Sequence, residues 1–201
     1  MVDSFPDSAD SWVIETHQRN QIARGLTGCR ADDVVIISDL DEIPNPDVIK
    51  NKLAGGIQSL KQKLYYGYLN GYLGDNWTLP KIMLYKDTLG SLDARDELYS
   101  TYLPRLNNQG TTPSKIRLFK APVIADGGWH FGYLGGIDQI IYKIESYSHQ
   151  ENNTPEYKDP ENLKKQIANI KYVEIDETFP EYIRNNRKKL SKFIHPLGNI
   201  E

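Results

Sequence analysis

The sequence lacks the features that would place the protein in a membrane or on a nucleic acid. Its 201 residues contain a single cysteine, Cys29, which excludes an intrachain disulfide and leaves the redox compartment open. No apolar run approaches the roughly 20 residues needed to span a bilayer, and residues 1–6 lack the basic start and apolar centre of a signal peptide. The formal net charge of −3 gives no overall basic character. We therefore expect no nucleic-acid partner, no transmembrane segment and no targeting signal.

The residues that are present suit a folded chain. Hydrophobic residues make up 39% of the sequence and there are 13 tyrosines, which is too apolar and too aromatic for a disordered protein. A length of 201 residues suits one domain with a sizeable core.

The most informative stretch is residues 34–44, Val-Val-Ile-Ile-Ser-Asp-Leu-Asp-Glu-Ile-Pro. Four consecutive β-branched residues predict a short strand buried on both faces, as in the parallel sheets of α/β proteins. If the chain stays extended, Asp39 and Asp41 share one face while Leu40 points back into the protein. Open α/β sheets place their ligands at the carboxyl ends of such strands. Two neighbouring carboxylates repel each other unless a cation lies between them, which favours Mn²⁺ or Mg²⁺.

Three sequence blocks carry a family resemblance. Asp39-Leu40-Asp41 resembles the Asp-x-Asp motif of metal-dependent, nucleotide-sugar-using glycosyltransferases with the GT-A fold. The longer string at 38–44, the Gly-Trp-His-Phe string at 128–131 and the pattern Lys143-x5-His149-x-Glu151 together resemble the β-1,4-N-acetylglucosaminyltransferase family that adds a bisecting N-acetylglucosamine (family 17). A bare Asp-x-Asp is a weak signal, whereas three blocks in the family's order are a stronger one.

The resemblance implies an α/β fold, namely a GT-A-like (Rossmann-like) mixed sheet flanked by helices. Only 33 residues precede Val34, which is room for one helix but not for the first βα unit that holds the nucleotide base in GT-A domains. We therefore expect residues 1–201 to be one N-terminally truncated GT-A-like domain with a C-terminal helical segment from about residue 156. In a bacterium or virus its expected location is the cytoplasm or the membrane periphery.

The implied function is an inverting glycosyltransferase. It would move N-acetylglucosamine from a nucleotide-diphosphate donor, expected to be a UDP-sugar, to a glycan acceptor. A divalent ion, Mn²⁺ or Mg²⁺, would neutralise the diphosphate leaving group. The predicted metal ligands are Asp39, Asp41 and His149, with His130 as the alternative histidine.

The remaining predicted site residues bind the donor or move a proton. The donor-binding candidates are Arg19 and Asn20 of a Gln-Arg-Asn string that the family also has, Asp39 on the ribose, and Lys143, Lys115 and Arg117 on phosphate. The candidates for the catalytic base are Asp126 first, Glu151 second and Glu145 third, because a carboxylate must accept the proton of the acceptor hydroxyl. Gly127 and Gly128, beside Asp126, are expected to let a ligand approach closely.

Apolar periodicity and cap signals predict the other elements. Helices are expected over residues 12–26 with Ser11 as N-cap, after Pro46, over 137–148, from Asp159-Pro160 to about 171, and after Pro180. Strands are expected at 63–73, 82–85 and 115–119, with a long loop over 86–114.

Two other functional classes stay open. A glycoside hydrolase would need an acid and a base about 5–10 Å apart, whereas Asp39 and Asp41 belong to one predicted strand. A non-catalytic, truncated GT-A domain would bind a glycan or a protein partner. The transferase prediction depends on the two aspartates gripping one cation together. It would fail if they were splayed apart, or if arginine or lysine tied them up in a closed interior.

Overall fold

A computed structural model describes residues 4–51, 53, 55–89 and 112–197. Within them the strands are β1 (Val34–Ile37), β2 (Glu42–Pro44), β3 (Gln58–Tyr66), β4 (Gly71–Trp77), β5 (Lys81–Leu84), β6 (Val123–Gly132) and β7 (Lys171–Tyr172). The α-helices are α1 (Ser11–Asn20), α2 (Pro46–Asn51), α3 (Lys86–Leu89), α4 (Pro113–Leu118), α5 (Ile137–Ser146), α6 (Pro160–Ala168) and α7 (Glu181–Asn185). Short 3₁₀ helices lie at Gln21–Leu26, Gln150–Asn152 and Ser191–Phe193. The structure is mixed α/β with a β-sheet flanked by helices, as predicted in outline.

The chain folds into two compact units. The first consists of Met1–Asp39, Pro46–Lys61 and Thr78–Gly127. The second consists of Leu40–Asn45, Gln62–Trp77 and Gly128–Glu201. Among the described residues, no helix is both long enough and apolar enough to cross a membrane.

In the first unit, β1 lies in an antiparallel pair and not in a parallel one. It pairs with β5, from Val34 opposite Leu84 to Ile37 opposite Lys81. β5 also pairs antiparallel with residues 58–59 of β3. The expectation of a parallel strand is wrong because a run of β-branched residues reports burial on two faces, which is compatible with either strand direction.

The predicted burial of β1 on both faces is confirmed for residues 35–37. One face contributes to a core cluster made of Val35, Ile37, Ile57, Met83, Ile116 and Ala121. Ile36, on the opposite face, packs against a second cluster made of Val48, Leu60, Ile82 and Ile124. Val34 is the exception, with 45% of its surface exposed. Helix α4 supplies Ile116 on one side and helix α2 supplies Val48 on the other, which is why β1 needs apolar side chains in both directions.

In the second unit, the segment predicted as one strand over 63–73 is a hairpin. Residues 62–66 of β3 pair antiparallel with β4, with Gln62 opposite Trp77 and Tyr65 opposite Tyr72. The chain turns at Gly67, whose φ of +71° is a left-handed conformation that favours glycine. The tyrosine-rich composition predicts strand correctly, but the interpretation as one strand overlooks Gly67 and the Asn70-Gly71 pair, which are turn signals.

Two apolar clusters hold the second unit together. One consists of Tyr65, Leu69, Trp129, Phe131, Ile175, Phe179 and Ile183. The other joins α5 to α6 through Ile140, Ile144, Leu163 and Ile167. β2 pairs antiparallel with β6, placing Glu42 opposite His130 and Pro44 opposite Gly128. The amphipathic pattern of α5 is therefore confirmed as a core-facing stripe.

One predicted strand is a helix. Residues 115–119 were expected to be extended, but Pro113–Leu118 forms α4. The hydroxyl of Thr112 accepts a hydrogen bond from the backbone N–H of Lys115, and Pro113 occupies the start of the helix. This pair of start signals outweighs the apolar alternation of the short segment.

Helix ends follow the cap residues. Asp10, not Ser11, caps α1 by accepting from the backbone N–H of Trp12, and α1 ends at Asn20, where a 3₁₀ helix begins. The predicted cap Asp159 is confirmed because it accepts from the backbone N–H groups of Glu161 and Asn162, although α6 ends at Ala168. α7 is only five residues long. The long loop expected at 86–114 begins instead as helix α3, and its residues 90–111 lie outside the described residues.

Gln62 is a buried polar residue of the second unit. It is fully buried, and neither its amide oxygen nor its amide nitrogen has a hydrogen-bond partner among the described residues. We expect Gln62→Leu to raise the free energy of unfolding by about 1–3 kcal/mol, because a buried amide without partners carries a desolvation cost of that order. Chemical denaturation of the two proteins measures the difference. A loss of stability in the variant would show that ordered water satisfies the amide.

Candidate functional site

Asp39 belongs to the first unit and is paired with two arginines. Its Oδ2 lies 2.6 Å from Nη2 of Arg117, and its Oδ1 lies 3.1 Å from Nη2 of Arg19. The Arg117 side chain is 3% exposed, while Asp39 keeps 43% of its side chain in solvent. Arg19 is also bound to Glu15 at 2.6 Å, one helical turn earlier in α1. The structure thus brings the predicted pair Arg19 and Asp39 together and adds Arg117 to it.

Asn20, the other residue predicted from the Gln-Arg-Asn string, joins two helices. Its Oδ1 accepts a hydrogen bond from the backbone N–H of Ser114, near the start of α4. The hydroxyl of Ser114 in turn donates to the carbonyl of Thr16 in α1. These bonds hold α4 against α1, and the two helices supply Arg117 and Arg19. The contacts seen for Asn20 therefore position the two arginines.

Asp41 belongs to the second unit and is paired with Lys143 and His130. Its Oδ2 lies 2.6 Å from Nζ of Lys143 and 3.5 Å from Nε2 of His130. α5 supplies the lysine and β6 supplies the histidine. The Asp41 side chain is 28% exposed. Of the two histidines considered as metal ligands, His130 is the one that the structure places beside Asp41.

The surroundings of Asp41 keep its carboxylate charged. Burial alone would raise the pKa of Asp41, but the hydrogen bonds from His130 and Lys143 outweigh burial and hold this pKa well below its usual range. The side chain therefore stays ionised across the physiological pH range. A carboxylate with this charge and partial exposure is suited to bind a cation.

Both aspartates are thus engaged by basic side chains, which counts against the transferase prediction. The interior around them is not closed, since the side chains of Asp39 and Asp41 are 43% and 28% exposed. Asp39 and Asp41 are therefore paired with basic side chains but not sealed in a closed interior. The arginines and the lysine supply the positive charge that the carboxylates need in the absence of another cation.

Leu40, between the two aspartates in sequence, does not point into the protein. It is 99% exposed. β1 ends at Ile37, and Leu40 and Asp41 form a turn before β2 begins at Glu42. The alternation of an extended strand does not continue through a turn, so the predicted orientation of Leu40 is wrong.

Glu42 is a buried residue of the second unit that supports the histidine. It is 2% exposed and accepts a hydrogen bond of 2.6 Å from Nε1 of Trp77. The ring of Trp77 packs against the ring of His130 with centroids 4.2 Å apart. Nδ1 of His130 is buried and has no partner among the described residues. Packing by Trp77 therefore fixes His130 with its Nε2 toward Asp41.

His149 and Glu151 bind each other. Nδ1 of His149 lies 2.7 Å from Oε1 of Glu151, and the imidazole packs against the ring of Tyr147 at 5.1 Å. The hydrogen bond from His149 lowers the pKa of Glu151.

Asp126, the first candidate for the base, lies in β6 of the first unit and is exposed. Its φ of 56° is left-handed, which aspartate tolerates better than most residues. The two glycines that follow Asp126 allow the backbones of other strands to come close. A Cβ on Gly127 would lie 2.7 Å from Cα of Leu60, and one on Gly128 would overlap the carbonyl oxygen of Ile43.

Tyr133 is a site residue that sequence reasoning missed. Its φ of 57° is unusual for a bulky side chain. The ring centroid lies 4.6 Å from Nζ of Lys143, which is the distance of a cation–π contact. Burial and a hydrogen bond with Tyr147 raise the pKa of Tyr133. No local sequence signal marks this residue, because its role depends on a strained backbone and on α5.

Among the described residues, no group of three or more His, Cys, Asp or Glu side chains is arranged to hold a metal ion. Two acid-centred clusters are present, Asp39 with Arg19 and Arg117 in the first unit and Asp41 with Lys143 and His130 in the second. Comparison of the chain with protein-family models, with curated proteins and with solved structures gives no match.

Proposed function

We propose that the protein is a glycosyltransferase of the GT-A type that transfers a sugar from a nucleotide-diphosphate donor to a glycan. The observation that carries the proposal is the charge state and surroundings of Asp41, the second aspartate of the Asp-x-Asp motif. Its carboxylate is held ionised by Lys143 and His130 and remains partly open to solvent. Clusters of this kind, in which specific partners strongly perturb a pKa, concentrate at functional sites.

The residues around Asp41 fit a divalent ion. Oδ2 of Asp41 offers a hard oxygen ligand and Nε2 of His130, 3.5 Å away, offers an imidazole ligand. This combination suits Mn²⁺ better than Mg²⁺, which prefers oxygen alone. When bound, such an ion would neutralise the diphosphate leaving group as a Lewis acid. In this proposal Asp41 and His130 hold the ion, and His149 is not required.

The cluster around Asp39 fits an anionic donor. Arg19, with 19% of its side chain exposed, is the guanidinium suited to bidentate recognition of phosphate. Arg117 is buried and holds the carboxylate of Asp39 in place. We assign donor contacts to Arg19 and Asp39, and the positioning of Asp39 to Arg117. Asp126 is kept as the proposed base, with Glu151 as the alternative.

One observation favours a second candidate function. Both aspartates are already paired with cationic side chains, as they would be in a GT-A-derived domain that binds a glycan or a partner without transferring sugar. In such a domain the ion pairs would be permanent. Binding of nucleotides separates the two candidates.

The test is a donor screen. Nucleotide release is measured from a panel of UDP- and GDP-sugars with Mn²⁺, with and without a mixture of glycan acceptors. We expect release from one UDP-sugar, N-acetylglucosamine by the resemblance, that rises with acceptor and stops with EDTA. Titration calorimetry of UDP and GDP in Mn²⁺ runs in parallel. Absence of both binding and release would overturn the transferase proposal in favour of the binding domain, and free sugar released from a glycan without any nucleotide would favour a hydrolase.

A further inference from the structure

Lys143 occupies the position where a cation would meet Asp41. Its Nζ lies 2.6 Å from Oδ2 of Asp41, the same oxygen that lies 3.5 Å from Nε2 of His130. On its other side the ammonium lies 4.6 Å from the centroid of the Tyr133 ring. The ammonium is thus held between a carboxylate and an aromatic face, both of which attract positive charge.

A divalent ion and this ammonium compete for one carboxylate. An ion that binds Oδ2 lies about 2.1 Å from the oxygen, whereas Nζ of Lys143 is 2.6 Å from it. The two positive charges would therefore be less than 5 Å apart and would repel each other. Either the ion is excluded or the lysine moves away.

Lys143 is the partner of Asp41 that is free to move. Its side chain is 34% exposed and carries a long, flexible stem, and its contacts among the described residues are the Asp41 pair and the Tyr133 ring. His130 is 12% exposed and packed against Trp77 at 4.2 Å. Arrival of an ion therefore displaces the lysine and leaves the imidazole in place as a second ligand.

We propose that Lys143 is an internal counter-ion that a divalent metal displaces from Asp41, and that the released ammonium then binds the diphosphate of the nucleotide. The inference rests on the proposed function and extends it, because it makes the free protein bind an ion alone weakly and bind an ion together with a diphosphate more strongly. Lys143 would thus lower the affinity for the ion alone and raise the affinity for the nucleotide.

The test is whether Lys143→Met changes the affinities for Mn²⁺ and for UDP in opposite directions. Methionine keeps an apolar stem of similar length beside Tyr133 and removes the charge. We expect Mn²⁺ alone, measured by the electron paramagnetic resonance signal of the free ion, to bind roughly 3- to 10-fold more tightly than in the unmodified protein. UDP in saturating Mn²⁺, measured by calorimetry, should bind roughly 3- to 10-fold more weakly.

A matched control is available in the same unit. Lys164 makes an ion pair of 2.6 Å with Glu161 on α6. Lys164→Met removes a pair of the same length outside the site and should leave both affinities unchanged. Equal changes in this control would overturn the inference, because they would reflect net charge alone.

The outcomes separate the inference from the proposed function. If the unmodified protein binds Mn²⁺ and Lys143→Met binds it equally or more weakly, the counter-ion role is overturned and the metal-dependent transferase stands. If Lys143→Met binds Mn²⁺ more tightly but does not bind UDP more weakly, the proposed contact of the released ammonium with the diphosphate is overturned. If neither protein binds Mn²⁺, the metal site at Asp41 is overturned, and the inference with it.

Discussion

Asp41→Asn is expected to lower kcat/KM for sugar transfer by at least about 100-fold, since removing one electrostatic stabiliser of a developing charge typically costs about 10²- to 10³-fold. Asparagine keeps the size of the side chain but removes the charge that Lys143 and His130 hold in place. Without that charge the proposed ion loses its carboxylate ligand. The rate of nucleotide release with the donor identified by the screen measures the effect. A variant with undiminished kcat/KM would remove Asp41 from the metal site.

Two controls make the loss interpretable. Glu161→Gln breaks another 2.6 Å ion pair, with Lys164 on the exposed face of α6, and should leave transfer unchanged.

The pH dependence of unfolding reports whether Asp41 is charged and paired in the folded protein. Because its folded pKa lies below the ordinary value, the stability it contributes is present above about pH 4 and is lost as pH falls further. Asp41→Asn should lose less stability over that acid range than the unmodified protein.

The sequence predicts best the features that depend on local chemistry. The run of β-branched residues at 34–37 predicts a strand with apolar contacts on two faces, and Ile36 and Ile37 do lie against different clusters, although Val34 is exposed. Asp159 caps α6 because a carboxylate followed by proline satisfies the first backbone N–H groups of a helix. Within the candidate site, Asp39, Asp41 and Lys143 are recognisable from their spacing in the resembled motifs.

The features that sequence reasoning missed depend on residues far apart in the chain. The Asp39–Arg117 pair joins residues 78 positions apart, and the Asp41–Lys143 pair joins residues 102 positions apart. Thr112 and Pro113 are a local start signal for α4, but nothing near Arg117 in the sequence shows that this helix delivers the guanidinium to Asp39. That His130 and not His149 lies beside Asp41 likewise depends on distant residues, because the pairing of β2 with β6 places His130 opposite Glu42.

The glycines of β6 show how one local signal allows two physical explanations. Gly127 and Gly128 indicate a close approach of another group, and the sequence suggests a ligand. In the structure the approaching groups are protein backbone, from β3 at Gly127 and from Ile43 of β2 at Gly128. A glycine pattern therefore predicts the close contact but not its partner.

Gly128→Ala is expected to destabilise the protein by about 4 kcal/mol or more, among the largest effects of a single substitution. The φ of Gly128 is +138°, which alanine adopts only at a cost of about 1–3 kcal/mol. Its new methyl group would also overlap the backbone carbonyl oxygen of Ile43 in β2. This oxygen cannot move away unless the pairing of β2 with β6 breaks. The free energy of unfolding from chemical denaturation measures the loss.

Gly74→Ala separates strain from collision. Gly74 lies in β4 of the same unit with a similar φ of +147°, but nothing lies within 4 Å of the position that its Cβ would take. We expect this control to cost only the strain of about 1–3 kcal/mol. The difference in free energy of unfolding between the two alanine variants then gives the cost of separating β2 from β6. The pairing of these strands determines where His130 lies relative to Asp41. Equal losses in the two variants would show that β2 moves aside freely, and that the strand pairing does not hold His130 against Asp41.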